Sequence, residues 1–216
     1  MNFVAYKKSI IEIISRVMLN LGNKVRIFIV VALTIGLIFV GVFTYFKSNE
    51  NSKISSNKLS EACTSFACGD IRNGFTIIDE TIARFPKTPA AYQARLIKAD
   101  ILIEMHKYEE ALKILEETLN NGKPKTIKPL ASSRIIYIYD SKKDYSKAIF
   151  VSNEFIKKYP DHFLVKDIYL NLAEYYFLSG SQNNAVRVFN EVVVKFSNTQ
   201  EAKKARNRLN DINKID

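Results

Sequence analysis

One small pattern recurs four times at a spacing of 37 residues. Gly74, Ala111, Ala148 and Ala185 are evenly placed along the chain. Each is followed three and four residues later by Ile77-Ile78, Ile114-Leu115, Val151-Ser152 or Val188-Phe189. Twelve residues upstream of each stand Ala62, Ala99, Ile136 and Ala173. Offsets of three and four put these positions on one face of a helix. A sustained period of roughly 20–50 residues is the mark of stacked repeats. One such unit cannot bury its apolar face alone, so neighbours must stack to form a continuous core. Chains built this way bind other proteins more often than they carry out chemistry.

The rest of the sequence agrees with an all-α chain. Gly (7) and Pro (5) are few, Tyr (11) and Phe (14) are plentiful, and no alternating strand pattern is present. The repeats predict four helix pairs: 55–68 with 71–85, 89–105 with 108–121, 128–141 with 145–158, and 165–179 with 182–195. A last helix over 199–213 would cap the stack, with Ala202, Ala205, Leu209 and Ile212 as its apolar stripe. Small residues at 62, 99 and 173, and at 74, 111, 148 and 185, let the two helices of a pair approach closely. Tyr139, Tyr176, Ile78, Leu115 and Phe189 fill the remaining space. Gly69 and Gly180 fall at turns within pairs, and Pro86 and Pro160 end second helices.

Ahead of the repeats, residues 27–46 read IFIVVALTIGLIFVGVFTYF, without a charge. At ~1.5 Å per residue these twenty residues make a helix ~30 Å long, the thickness of a bilayer core. The run is longer than a signal-peptide core, and it is followed by Lys-Ser-Asn-Glu rather than a small-residue cleavage site. An uncleaved single-pass anchor is the expectation. Lys7, Lys8, Arg16, Lys24 and Arg26 precede the span, against Lys47, Lys53 and Lys58 after it. The more basic flank stays cytoplasmic. The expected topology is therefore an N-terminus in the cytoplasm, a span in the inner membrane with 27–46 in contact with lipid, and a periplasmic or extracytoplasmic C-terminal part. Residues 3–22 form a basic amphipathic pattern suited to a membrane surface or a docking helix. The expected layout is a cytoplasmic amphipathic lead over 1–26, a transmembrane helix over 27–46, a linker over 47–54 and a repeat domain over 55–213.

The repeat units resemble the tetratricopeptide repeat (TPR). The fourth unit carries the resemblance best, with Tyr169, Leu172, Ala173, Tyr176, Ala185 and Phe189. The third carries Tyr139, Ala148 and Pro160, the second Ala99 and Ala111, and the first Ala62, Gly74 and Pro86. The period exceeds the family's usual length by three residues, inserted between one pair and the next. With the turns ARFPKTPAAYQA and KKYPDHFLVKDIY, this is similar to bacterial envelope TPR proteins such as the BamD-like lipoproteins and the C-terminal domain of CpoB. The chain has no N-terminal cysteine for lipid attachment of the BamD kind. The layout of lead, membrane helix and repeats resembles the YfgM family, ancillary subunits of the SecYEG translocon. That resemblance implies a membrane-anchored adaptor for protein partners, with the translocon or periplasmic chaperones among them. The alternative is an envelope-assembly or cell-division scaffold, which would include self-association.

In TPR domains the first helices of the pairs line a groove. Here that expectation selects Gln93, Asp100, Arg134, Tyr137, Asp167, Leu170, Asn171, Glu174 and Phe177 as candidate binding residues. The mixed aromatic and polar lining suits a peptide or helix from a protein partner. TPR domains that clamp a C-terminal carboxylate carry Lys and Asn where this chain has Leu59 and Cys63, which argues against such a clamp.

No catalytic set accompanies the repeats. His106 and His162 lack metal-ligand partners at useful spacing, and neither a phosphate-binding loop nor a nucleophile elbow is present. No cofactor or metal is expected, and the chain is not expected to be an enzyme. The net charge of +10 is spread along the chain without a nucleic-acid motif, so nucleic acid is not an expected partner. Cys63 and Cys68 are expected to be small buried residues. On one helix they point about 140° apart, which does not suit a disulfide.

Overall fold

The computed structural model describes residues 22–122, 125–212 and 214. The amphipathic pattern over 3–22 lies almost wholly outside them. Among the described residues the secondary structure is helical throughout. The helices are α1 (Asn23–Ala67), α2 (Ile71–Arg84), α3 (Pro89–Glu104), α4 (Tyr108–Asn121), α5 (Ile127–Ser141), α6 (Tyr145–Lys158), α7 (Val165–Leu178), α8 (Gln182–Lys195) and α9 (Gln200–Ile212). The predicted ends of the repeat helices agree to within about a residue, apart from the start of the first. The chain divides into two compact units, Met1–Asn51 and Ser52–Asp216. Helix α1 contributes to both, and residues 47–54, read above as a linker, are helical within it.

In the first unit, the apolar side chains of α1 from Ile27 to Phe46 are exposed, apart from half-buried Ile29. Its most apolar 18-residue window has a mean hydropathy of 2.8. Thr34 and Thr44 donate their hydroxyls to the carbonyls of Val31 and Gly41, at 2.8 and 2.9 Å. The helix therefore satisfies its own polar side chains, as an apolar solvent requires. Among the described residues this is the one helix long and apolar enough to cross a membrane.

In the second unit each helix packs on the next, from α2 to α9. The second helices of the pairs bury a single stripe. In α2 it is Gly74, Ile77, Ile78 and Thr81, and in α8 it is Ala185, Val188, Phe189 and Val192. The first helices lie between neighbours and bury more of their circumference, as in α3, where Ala90, Ala91, Ala94, Leu96, Ala99 and Leu102 are inside. Residues Leu59 and Ala62 of α1 close the first pair against Ile77 and Ile78. Gly74 must be glycine as packed, because a Cβ there would fall 2.4 Å from the Phe66 ring. The predicted cap is present, with Ala202, Ala205 and Ile212 of α9 buried against the last pair.

The turns within pairs are built alike. Gly69, His106, Lys143 and Gly180 all have positive φ, between 56° and 80°, and they recur every 37 residues. At each, the next residue's N–H reaches back to close the helix end: Asp70 to Ser65, Lys107 to Leu102, Asp144 to Tyr139 and Ser181 to Tyr176. This is a left-handed helix stop of Schellman type. The Asp70 and Asp144 carboxylates then cap the following helices, accepting from Asn73 N and Lys147 N. At the far ends, Phe85, Tyr159 and Phe196 stop the second helices, with Pro86 and Pro160 behind two of them.

The expectation that both cysteines are buried does not hold: Cys63 and Cys68 are free and exposed. Ala62 takes the inward position, with no exposed surface, and the turn of the helix carries the next residue outward. Cys68 lies past the last helical residue, where the chain is already turning.

Candidate protein-binding face

The first helices α3, α5 and α7, with the cap α9, share one face, and side chains cross it from helix to helix. Arg134 of α5 donates from Nε to Asp100 Oδ1 at 2.6 Å and from Nη2 to Asp100 Oδ2 at 2.8 Å. Arg208 of α9 repeats the arrangement on Glu174 of α7, with both bonds at 2.7 Å. These are parallel fork pairs, the geometry in which guanidinium and carboxylate interact most strongly. The Arg208 guanidinium also lies 5.0 Å from the centre of the Phe177 ring. Accordingly α3 approaches α5 and α7 approaches α9, while α5 and α7 meet less closely.

The two pairs are related by the repeat. Asp100 and Glu174 stand two periods apart, 74 residues, and so do Arg134 and Arg208. At the intervening step the equivalent residues are Tyr137 and Asn171, which form no such pair. Tyr137 is 56% exposed, and Asn171 is exposed as well. The helices at this step are joined deeper down, where the Tyr175 hydroxyl bonds to Asp140 and the Tyr175 ring stacks on Tyr145. Burial first, and then the charge of Asp140, keeps the Tyr175 hydroxyl protonated far beyond a phenol's ordinary range. Burial also raises the Asp140 carboxyl, against the hydrogen bond from Tyr175.

The nine candidate residues therefore fall into distinct groups. Gln93, Tyr137, Asp167 and Asn171 are exposed. Asp100, Arg134 and Glu174 are engaged in the fork pairs, and half-buried Phe177 lies beneath Arg208. Leu170 is only 8% exposed and belongs to the core formed with Leu172, Val188 and Phe189. Arg208 was not among the candidates. The signal for it is an acid followed 34 residues later by arginine, one helical turn short of the repeat period.

Elsewhere, a cavity of about 460 Å³ opens between α4, α5 and α6, lined by Leu119, Phe150, Val151, Phe155 and Tyr159 with Lys128 and Lys158. Among the described residues no three His, Cys, Asp or Glu side chains converge as a metal site. His106 sits at a turn, its Nδ1 3.0 Å from the Tyr108 hydroxyl.

Comparison with known proteins agrees with this architecture. No curated protein sequence matches the chain. Among solved structures, a tetratricopeptide repeat protein from Parabacteroides merdae superposes with a TM-score of 0.58 at 14% identity, over 70% of this chain and 57% of that one. Nearly identical TPR-like repeats from Podosopora anserina give 0.56 at 15% identity, over 74% and 84%. MamA from Desulfovibrio magneticus gives 0.53 at 16% identity, over 68% and 77%. At such identities the likeness concerns the fold. A family profile described as a tetratricopeptide repeat-like domain matches residues 20–153, more than half of the sequence. The 37-residue register, the stacked pairs and this match point the same way: the chain belongs to the tetratricopeptide repeat-like domain family.

Proposed function

We propose that the protein is a membrane-anchored adaptor that binds other proteins on the shared face of its first helices. The observation that carries this reading is the pairing of an exposed apolar helix with a repeat unit whose face is left open at Tyr137 and Asn171. The family match spans both the apolar segment and most of the repeats, which supports treating them as one device. Residues 27–46 serve as the anchor, and the excess of cations before them favours an N-terminus in the cytoplasm. On that topology the repeats work outside the cytoplasm. The layout resembles the YfgM family, so the specific reading is a translocon accessory that meets exported or periplasmic proteins.

Photo-crosslinking in cells from position 137, with the adducts identified by mass spectrometry, tests this. Adducts to translocon subunits or exported chains are the expected result. Adducts confined to division or outer-membrane assembly proteins would replace the export reading with a scaffold. The adaptor reading itself fails if this position labels no protein while a buried control position behaves identically.

A further inference from the structure

The open step of the face carries carboxylates that the fork pairs do not use. Of the acids on the first helices, Asp100 and Glu174 are neutralised by the fork pairs. Around Tyr137 and Asn171 the charged groups that remain are Asp140 and Asp167. Asp140 lies one turn beyond Tyr137 on α5 and is half-buried against Tyr175. Asp167 lies one turn before Asn171 on α7, exposed and without an ion pair. The basic residues of these two helices reach toward other groups. Arg134 holds Asp100, Lys128 points its ammonium to the Asn120 carbonyl, and Lys166 lies within electrostatic reach of Glu201. Beyond the helix ends, Lys142 is paired with Glu109. Among the described residues, Asp167 is thus an exposed carboxylate with no cation of its own chain in contact, on a chain whose net charge is +10.

The Tyr137 ring is also open. Tyr92, Tyr139 and Tyr169 each carry a cation of the same chain over the ring: Arg95 at 5.1 Å, Lys147 at 5.4 Å and Lys195 at 4.6 Å. Tyr137 is more exposed than any of them and has no such partner. By the repeat register Tyr137 stands across from Asn171, one turn from Asp167, and an open aromatic ring and an unpaired carboxylate are both groups that receive an ammonium or guanidinium.

We infer that the step between α5 and α7 takes a basic peptide segment, with a Lys or Arg side chain laid on the Tyr137 ring and paired with Asp167. The inference rests on reading this face as the partner-binding surface. The partner is then an extended or helical segment of another protein that carries positive charge next to apolar residues. Asn171 supplies backbone hydrogen bonds, and exposed Leu178 at the end of the same line on α7 supplies apolar contact.

The test uses the full chain in detergent micelles, with a benzophenone side chain at position 171 so that Tyr137 and Asp167 stay intact. Two fluorescein-labelled peptides of equal length and apolar content are compared, one bearing Lys and the other Glu at the same positions. The Lys peptide should be labelled and the Glu peptide should not. Without the crosslinker, Tyr137→Ala should weaken the Lys peptide roughly two- to fivefold, the range of an exposed cation–π contact. Asp167→Lys should weaken it further, and added salt should reduce the difference between the peptides. Because both side chains are exposed, circular dichroism should show these variants folded as the parent. Equal labelling of the two peptides, or a preference for the Glu peptide, would overturn the charge assignment and leave the binding face standing. Labelling of neither would remove both.

Discussion

Phe155 supplies the volume that Ser152 lacks. Ser152 occupies the register held by Ile78, Leu115 and Phe189 in the other repeats, and Phe155 occupies that of Thr81, Thr118 and Val192. Large and small have changed places by three residues, so the bulk stays on the same stripe of α6, one turn further along. Both side chains are fully buried. Burying a phenyl ring contributes roughly 1.5–3 kcal/mol, which accounts for the exchange being tolerated.

The Ser152 hydroxyl has no hydrogen-bond partner. A buried unpaired hydroxyl costs about 1–3 kcal/mol, so Ser152→Ala should raise stability by about 1 kcal/mol. The exposed Ser146→Ala on the same helix controls for helix propensity alone. Thermal unfolding should rank S152A above S146A. Ser152→Leu should destabilise by overfilling the site, and adding Phe155→Thr should restore what it loses.

The two non-glycine residues in left-handed turns hold avoidable strain. Lys143→Gly should stabilise by about 0.5–1 kcal/mol, after allowing for the greater freedom of glycine in the unfolded chain. His106→Gly should give less, because it also loses the contact with the Tyr108 hydroxyl. Gly180→Ala should cost about 1 kcal/mol at the equivalent turn. Chemical denaturation read by circular dichroism would show the opposite signs.

The fork pairs tie neighbouring repeats together. Side chains of Asp100 and Arg134 are 42% and 27% exposed, so solvent screens the interaction. A double-mutant cycle with Asp100→Ala and Arg134→Ala should give a coupling of about 0.5–1 kcal/mol. Arg134→Lys should lose most of it, since an ammonium cannot make the parallel bonds. A coupling unchanged by the lysine would show that charge alone, without the fork, does the work.

Acid should weaken the repeat unit through its exposed ion pairs. A hydrogen bond from Lys58 holds the Glu80 carboxyl below its ordinary value of 4.5, and Lys142 and Lys158 do the same for Glu109 and Glu154. Carboxyls depressed in the folded state contribute stability that is complete above 4.5 and lost as the pH falls through their folded values. Asp140 is shifted the other way by burial, so its protonation relieves the fold instead. Melting temperatures should therefore fall below about pH 4.5, and Glu109→Gln should make that fall shallower.

Helix positions were legible because they depend on local signals. The small residues at 37-residue spacing, the prolines behind Phe85 and Tyr159 and the glycines at two turns locate nearly every end. The extent of α1 was not, since the polar run 47–54 carries no helix stop and reads as a tether only by composition. On the candidate face, the repeat pointed to the first helices but could not say which side chains would find one another. Asp100, Arg134 and Glu174 look like free contacts one helix at a time, and become bonded only when the neighbouring helix is set one turn out of register. Leu170 fails for a related reason: its place inside or outside depends on how closely α8 packs, which the pattern on α7 alone does not carry.

The fork pairs also imply a rule for editing the chain. Asp70 and Asp144, Pro86 and Pro160, Asp100 and Glu174, and Arg134 and Arg208 are all 74 residues apart, so the repeating module is two hairpins. Excising one hairpin between α3 and α7 would set Asp100 opposite Asn171 and strand a carboxylate. Excising two would set Asp100 opposite Arg208 and remake the clasp. Stacks of this sequence should therefore lengthen or shorten cleanly by even numbers of hairpins, and odd numbers should leave a seam.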